Sequence, residues 1–438
     1  MTESSKQCFE AIIGRDKVGL SPSCGSIVAL RDGRLMWTWS YGSANPRNPM
    51  MANFSSDGGR SWSDPQPMKL KTGEDLQSVI GPSVKRLRSG ALGLVHRSEV
   101  QHGKHYFDLV TVNSFHLSQD DGQTWSPGIE MTPRLRHANR ESGAVDALVQ
   151  LSTGRLLLPY MKITGPTPTR DNCDEVMRFG QLLEVPRAFN LASSFAYYSD
   201  DEGKTWQRSH NEVFAMIDRG AGGIYGMGEP QVVELADGRL LMVGRTPLGQ
   251  LFRTYSPDGG ETWQEAEPTG LAARIGPMTL ERIPDSNDVL VIWNQSSPWE
   301  TMQGIYRHRI SCAISSDGGV TWHHHKRLDG LDDADYIEPG PLQMELLGPI
   351  CQPLDRTRYH RAPGPLRLDH PYCMFHNGCA VIVYGYGVLG LRHVIEKTYG
   401  MKFEQVAEQF GFQLNPANPN KVLGVNKVRI VPIEWLYK

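Results

Sequence analysis

The sequence predicts an all-β fold, a six-bladed β-propeller in which each blade is a four-stranded antiparallel sheet. The first observation is an eight-residue phrase, Ser-x-Asp-x-Gly-x-Thr/Ser-Trp, which occurs five times. The second is a pair of apolar, β-rich runs joined by a glycine turn, which recurs between the copies of that phrase. The third is a composition with 45 glycines, 29 prolines and 39% hydrophobic residues, which suits many short strands joined by many turns.

The repeated phrase has the composition of a tight hairpin turn. Its aspartate can accept hydrogen bonds from turn amides, its glycine supplies a positive φ, and its tryptophan can pack back against the hairpin. We therefore predict that these aspartates are structural and not catalytic. They are Asp57, Asp120, Asp201, Asp258 and Asp317.

The strand pairs divide the chain into six units. Their turns lie at Gly33, Gly90, Gly154 and Gly238, more loosely within 277–293, and at Gly378. Because a propeller grows by adding blades around one axis, residues 1–438 are predicted to form a single domain. The spacing of the repeated phrases places insertions near 164–192 and 330–368. A short helix within 403–411 and a closing strand over 426–437 complete the prediction.

Composition and charge argue against several classes of partner. The formal net charge is −3 and no run of Lys or Arg stands out, so no nucleic-acid partner is expected. No apolar run has the length of a membrane span, and the first 20 residues lack a secretory signal pattern, so we expect a cytoplasmic protein without membrane association. Seven cysteines without a C-x-x-C pair give no zinc or disulfide signature. No cofactor is expected.

Three consecutive histidines, His323, His324 and His325, follow the last copy of the repeated phrase. Consecutive residues of a strand point to opposite faces, and the sequence pairs no carboxylate ligand with them. We therefore expect a solvated rim here and not a metal site.

The repeated phrase resembles the Asp-box of the sialidase superfamily of β-propellers. A second match supports the resemblance, because Glu229 and Arg245 are separated by 16 residues, as are the family's glutamate and the second of its three carboxylate-binding arginines. The family's third arginine lies eight residues before a box serine, which is the place of Arg307 here. Arg309 lies two residues further along and would face the same side of a strand, which leaves the register open.

These residue types suit the chemistry that the resemblance implies. An arginine at the mouth of the central funnel can bind a carboxylate through two hydrogen bonds. A partly buried glutamate can act as a base or as the charge partner of a nucleophile. Simpler interpretations also remain open, namely an ion pair between two strands for Glu229 and Arg245, and a solvated surface side chain for Arg307.

The sequence departs from the family pattern at three places. Ser23 stands where the family has its first arginine. Residues 40–54 contain no Asp or Glu, although the family's acid/base aspartate is expected there. The run Asp369-His370-Pro371-Tyr372 stands near the place of the family's nucleophilic tyrosine.

The repeat geometry suggests replacements. Arg97 follows Gly90 by the same seven residues that separate Arg245 from Gly238, so it is predicted to face the same funnel. Asp369 precedes Gly378 by nine residues, as Glu229 precedes Gly238, and two carboxylates facing across a funnel suit glycoside hydrolysis. Tyr336 is a candidate nucleophile, and His370 is a candidate general acid or base.

The sequence therefore predicts an exo-acting glycoside hydrolase that acts on a carbohydrate with a terminal acidic sugar, either sialic acid or another carboxylated sugar. Its carboxylate would be bound by Arg245, Arg307 and Arg97. An alternative from another class is a catalytically silent propeller that binds glycans or other proteins. The departures from the family pattern favour that alternative, and the preserved Glu229 and Arg245 oppose it.

Overall fold

The structure is a computed structural model. It describes residues 7–13, 25–40, 49–77, 80–101, 109–136, 141–164, 173–178, 181–186, 191–302, 307–342, 364–388, 392, 395–396, 400–415 and 418–438. These residues form mostly antiparallel sheets with a few short helices. No helix in these ranges has the length and apolar character needed to cross a membrane.

The first half of the chain forms three sheets in succession, after an initial strand β1 (Phe9–Ile13). The first sheet has the order β2 (Gly25–Ala29), β3 (Leu35–Trp39), β4 (Met51–Ser55), β5 (Gln66–Pro67). The second contains β6 (Ile80–Arg86), β7 (Leu92–Gln101) and β8 (Leu109–Ser118), with β9 (Ile129–Glu130) and β10 (Leu135–Arg136) both paired to β8.

In the third sheet, the short strands β11 (Glu141–Gly143) and β12 (Val149–Gln150) both pair with β13 (Leu156–Thr164). A separate hairpin of β14 (Cys173–Arg178) and β15 (Gln181–Pro186) follows, within the insertion predicted near 164–192. The sheet is completed by β16 (Leu191–Ser199) and β17 (Gln207–Arg208). A second small hairpin joins β18 (Ala215–Met216) to β19 (Ile224–Tyr225), with a 3₁₀ turn at Asp218–Gly220 between them.

The next sheet has seven strands in sequence order, and one of them serves two units. The strands are β20 (Gly228–Glu234), β21 (Leu240–Arg245), β22 (Gln250–Ser256), β23 (Glu267–Arg282), β24 (Val289–Gln295), β25 (Ile310–Ser315) and β26 (His323–Asp329). The first part of β23 pairs with β22 and its last part pairs with β24. The count of six blades depends on dividing this sheet at β23, and it stays a prediction. Helix α1 (Pro298–Met302) follows β24.

The last sheet joins both ends of the described chain. Its order is β27 (Leu366–His376), β28 (Cys379–Val388), then a C-terminal strand β31 (Val425–Pro432), then β1. Between β28 and β31 lie helix α2 (Phe403–Gln409) and a hairpin of β29 (Leu414–Asn415) and β30 (Asn418–Val422). Helix α3 (Ile433–Tyr437) ends the chain. The helix predicted within 403–411 is thus confirmed, whereas the strand predicted over 426–437 ends at Pro432 and continues as a helix.

The sheets are arranged in a propeller-like ring, as predicted. The innermost strand of the first sheet, β2, packs beside β6 of the second sheet and beside β27 of the last. Buried Val381 and Ile430 of the last sheet pack in one apolar cluster with Trp37 and Trp39 of the first sheet. The ring therefore closes between the last sheet and the first.

The Asp-box turns adopt the predicted hairpin conformation. In the last box, Asp317 accepts a hydrogen bond from the amide of Thr321 at 2.9 Å and another from its hydroxyl at 2.6 Å. In the other four boxes the aspartate accepts the same amide bond, also at 2.9 Å. The bonds from Thr205 lower the pKa of Asp201 to about 2. The five aspartates use their oxygens on their own turns, which confirms their structural role.

The boxes also join neighbouring sheets, because the glycine two residues after each box aspartate lies against the sheet before it in the ring. A Cβ atom at Gly203 would lie 2.1 Å from the ring of Phe115 in the second sheet. At Gly59, in the first box, it would lie 3.3 Å from Val381 in the last sheet. The distance at Gly203 is shorter than real Cβ contacts, so a side chain there would push the two sheets apart.

We predict that Gly203→Ala lowers the free energy of unfolding by about 3 kcal/mol, since it adds a steric clash with Phe115 to the strain of an L-residue at φ +89°. Gly73→Ala is the matched control, because Gly73 has the same φ of +89° and no heavy atom within 4 Å of the added Cβ. That control is expected to cost about 1 kcal/mol. Urea denaturation of both variants measures the difference, and equal losses would contradict the contact with Phe115.

Charged side chains from several innermost strands meet near the axis of the ring. The hydroxyl of Ser26 on β2 donates a 2.6 Å hydrogen bond to Asp146, which lies between β11 and β12. The negative charge of Glu281 on β23 raises the pKa of Lys85 on β6. Burial raises the pKa of Asp146 to about 7, against the opposing effect of the Ser26 bond. The ring thus brings residues distant in sequence to one axial cluster.

We predict that Asp146→Asn stabilises the protein at pH 8 by about 2 kcal/mol and has no such effect near pH 4. The raised pKa means that the folded protein keeps the proton while the unfolded chain loses it, so stability falls as pH rises from about 4 to about 7. Asparagine resembles the protonated form and removes this loss. Asp285→Asn is the control, since Asp285 is exposed and its φ of 58° is similar to that of Asp146. Melting temperatures across this pH range measure the effect, and a gain that does not depend on pH would contradict the prediction.

Candidate active site

Two bulges on the innermost strands position the central residues of the site. Glu229 has φ 42° and His370 has φ 45°, and each directly precedes a proline at a break in strand register. Gly81, with φ 71°, occupies the same place before Pro82 in the second sheet. A positive φ is costly for residues other than glycine, and such strain concentrates at functional sites.

This geometry corrects one prediction by a single residue, because His370, and not Asp369, occupies the place of Glu229. The turn between β20 and β21 has three residues between the bonded pair Leu235 and Arg239, whereas the turn between β27 and β28 has two between His376 and Cys379. Counting back from the turn glycine therefore assigns the residues of β27 to positions that differ by one from their true equivalents on β20. Asp369 lies next to the bulge, with its side chain in the same cluster.

Five of the predicted site residues come together in one charged cluster. Glu229 Oε2 lies 3.1 Å from Arg245 Nη1. Arg307 Nη1 lies 2.6 and 2.7 Å from the two carboxylate oxygens of Asp369. His370 Nδ1 lies 2.9 Å from Asp369 Oδ1. These five residues come from the fourth, fifth and last units of the chain and share one small volume. We call them the mouth cluster.

The mouth cluster includes one arginine that the sequence analysis missed. Arg367 also forms an ion pair with Asp369, and its side chain is 40% exposed. Residues two apart on a strand share a face, so the spacing of Arg367 and Asp369 on β27 was a signal for this contact. The cluster therefore contains three guanidinium groups and two carboxylates.

The arginines keep both carboxylates of the mouth cluster ionised. Burial alone would raise the pKa of Glu229, but the charges of Arg245, His370 and Arg307 together lower it below its usual value. Burial likewise opposes ionisation of Asp369, but Arg307, His370 and Arg367 hold its pKa well below the usual range. At neutral pH neither carboxyl group carries a proton to donate.

The structure also settles the register between Arg307 and Arg309. Arg307 has φ 63° and precedes β25, so the regular alternation of a strand does not apply to it. Arg309 is fully buried and binds Glu300 and Asp332 through its guanidinium group. Arg307 is thus the arginine of the mouth cluster, and Arg309 holds α1 and the segment after β26 in place.

Arg97 occupies the predicted register position but has a different neighbour. Arg97 pairs with Ile80 as Arg245 pairs with Gly228, each one residue before the bulge. Its Nη1 donates a 2.6 Å hydrogen bond to Ser142 Oγ in the third sheet. Its role in binding a substrate stays a prediction.

The placement of Tyr336 is corrected by the structure. Tyr336 is 53% exposed, and its ring packs edge-on against His325 with 4.9 Å between ring centroids. His325 lies on β26, the outermost strand of its sheet. Tyr336 therefore lies on the outer side of the sheet, where it does not face the mouth cluster as a nucleophile would.

The remaining predicted features lie on the rim or outside the described residues. His323 is exposed, and its ring forms a hydrogen bond with the hydroxyl of Thr321. The ring of His325 contacts the carbonyl of Trp322. No group of three metal-ligating side chains occurs within the described ranges. Ser23 and residues 41–48, where the family pattern is missing, lie outside those ranges.

The fold and the site define the class of the protein as a propeller-like ring of antiparallel sheets with a charged cluster at its mouth. A family model described as a BNR repeat-like domain matches residues 89–346, which is more than half of the chain. The chain belongs to this family.

Comparisons with individual proteins agree with this assignment. A sialidase from Micromonospora viridifaciens is 26% identical over 402 residues, covering 78% of this chain and 53% of that protein. The chain thus spans about half the length of that relative. A solved structure of a protein of unknown function from Dyadobacter fermentans has a TM-score of 0.59 at 15% identity, covering 96% of this chain and 98% of that one. Trypanosoma rangeli sialidase has a TM-score of 0.54 at 12% identity, covering 95% and 55%. The protein is a divergent, sialidase-like member of its superfamily.

Proposed function

We propose that the protein is an exo-acting glycoside hydrolase that removes a terminal acidic sugar. The observation that carries this proposal is the mouth cluster, in which Arg245 and Arg307 lie beside two ionised carboxylates. An ionised carboxylate close to a sugar ring can stabilise the positive charge that develops at the anomeric carbon. Sialidase relatives support the same reaction class.

The charge of the mouth cluster favours an anionic substrate. Its three guanidinium groups exceed its two carboxylates, so the cluster is net positive. Arginine binds a carboxylate through two parallel hydrogen bonds, which gives both affinity and orientation. A sugar that carries one carboxylate would offset positive charge in the cluster.

The proposal is tested with matched aryl glycosides that differ only in the carboxylate, for example an aryl glucuronide and the corresponding aryl glucoside, together with aryl sialosides. We expect kcat/KM for one of the acidic members to exceed that of its neutral partner by at least about 10²-fold. Arg307→Met is expected to reduce this preference. Equal rates for acidic and neutral partners would remove the arginines from recognition.

The second candidate is a propeller that binds acidic glycans without turning them over. It is favoured by the ion pairs themselves, since each carboxylate of the mouth cluster already has an arginine partner within 3.1 Å, as in a purely structural network. Saturable binding of an acidic sugar by calorimetry, with no product after long incubation, would decide for this candidate.

A further inference from the structure

The contact between Asp369 and His370 is the feature of the mouth cluster that substrate binding does not explain. The imidazole Nδ1 lies 2.9 Å from Asp369 Oδ1, and the backbone amide of His370 donates to the same oxygen at 3.0 Å. Arg307 holds both oxygens of that carboxylate. The carboxylate is therefore fixed in place, and it fixes the orientation of the imidazole ring.

Hydrolysis of a glycoside needs a proton donor for the leaving oxygen. The two carboxylates of the mouth cluster are ionised, and its guanidinium groups do not release protons in proteins. Tyr336 lies on the outer side of its sheet. Among the described side chains of the cluster, His370 is the one whose residue type exchanges a proton near neutral pH.

We propose that His370 is the catalytic proton-transferring residue and that Asp369 is its positioning residue, an inference that rests on the proposed hydrolase function. With Nδ1 held by Asp369, Nε2 is the ring nitrogen that exchanges the proton with the substrate. This arrangement takes the place of the acid/base aspartate that residues 40–54 do not supply.

The proton balance closes within one turnover. The imidazolium gives its Nε2 proton to the glycosidic oxygen while the bond between that oxygen and the anomeric carbon breaks, and the bonding electron pair goes to the oxygen. Glu229 stabilises the positive charge on the sugar. A water molecule then adds through its oxygen to the anomeric carbon and gives a proton to Nε2, which restores the imidazolium. The sum is one glycoside and one water converted to two hydroxyl compounds.

The charges around His370 set the pH dependence. Asp369 contacts the imidazole directly, Glu229 on β20 lies in the same cluster, and the three arginines of the cluster lie beside these two carboxylates. The first step needs the imidazolium, so the rate falls as pH rises. In Asp369→Asn one stabilising negative charge is lost while the arginines remain, and the alkaline limb of the pH–rate profile is expected to move to lower pH.

Two substrates with different leaving groups distinguish proton donation by His370 from a structural role. His370→Gln is expected to lower kcat/KM about 10²- to 10⁴-fold for an alkyl glycoside of the preferred acidic sugar, whose leaving oxygen needs a proton. For the nitrophenyl glycoside of the same sugar, whose leaving group departs without one, the expected loss is under 10-fold. His376→Gln is the matched control, since His376 lies at the far end of the same strand and contacts Asn377.

Each outcome separates this inference from the proposed function. Turnover by the wild-type protein together with equal losses for both leaving groups in His370→Gln would overturn the role of His370 alone. An unshifted alkaline limb in a folded Asp369→Asn variant would overturn the positioning role of Asp369. Absence of turnover by the wild-type protein on every acidic glycoside would overturn the inference and the proposed function together.

Discussion

Glu229→Gln is expected to lower kcat for the preferred acidic substrate by about 10³-fold, the largest effect on kcat that we predict. Glutamine has nearly the same shape as glutamate, so the variant removes the charge and keeps the volume. The charge is the part that matters, because Arg245 and its cationic neighbours keep Glu229 ionised for contact with a developing positive charge. Steady-state kinetics on the aryl glycoside with the highest turnover measure the loss.

The same variant has a second signature, in KM. Arg245 Nη1 lies 3.1 Å from Glu229 Oε2. Without the negative charge of Glu229, Arg245 can bind the carboxylate of the substrate without competition. KM is therefore expected to stay constant or fall while kcat falls. Glu234→Gln is the matched control, since Glu234 ends the same strand and accepts a hydrogen bond from the Ser152 amide at 2.6 Å, at the opposite end from the mouth cluster. A parallel loss of kcat in both variants, or no loss in Glu229→Gln, would remove Glu229 from the mechanism.

The repeated units were predictable from sequence because their determinants are local. Each Asp-box contains its own carboxylate, glycine and tryptophan, so eight residues specify a turn without help from the rest of the chain. The pairing of the first strand with the last was not predictable in the same way. Strand β1 contains no turn phrase and pairs Phe9 with Ile430, over 400 positions away. Only the packing of the whole ring determines that contact.

The site was predictable to the extent that its residues lie on one hairpin. Glu229 and Arg245 belong to two strands joined by a short turn, so their spacing in sequence fixes their spacing in the fold. The turn of the last sheet is one residue shorter than the turn between β20 and β21. The position equivalent to Glu229 is therefore His370, where the spacing predicted Asp369. Arg97 has the expected register, yet its guanidinium group bonds Ser142 of the third sheet, a contact that spacing along the repeat does not specify.

Arg309→Met is expected to lower the free energy of unfolding by about 3–5 kcal/mol, the largest effect on stability among our predictions. Arg309 has no solvent exposure, and its guanidinium group lies 2.7 Å from Glu300 and 2.7 Å from Asp332. Glu300 is only 1% exposed, so removal of the cation leaves a carboxylate that water does not reach. An unpaired buried charge costs more than the ion pair contributes. Native domains are stable by about 5–15 kcal/mol, so this loss is a large share of the total.

Arg155→Met is the matched control, because Arg155 also contacts two carboxylates, Asp200 at 2.7 Å and Glu261 at 3.0 Å. Those partners are 54% and 37% exposed, so water solvates them once the cation is gone, and the expected cost is about 1 kcal/mol or less. Urea denaturation of both variants compares the two sites, and the double variant Arg309→Met/Glu300→Gln should recover part of the loss. Equal losses of stability for the two arginine variants would contradict the prediction that the burial of Glu300 sets the cost of removing Arg309.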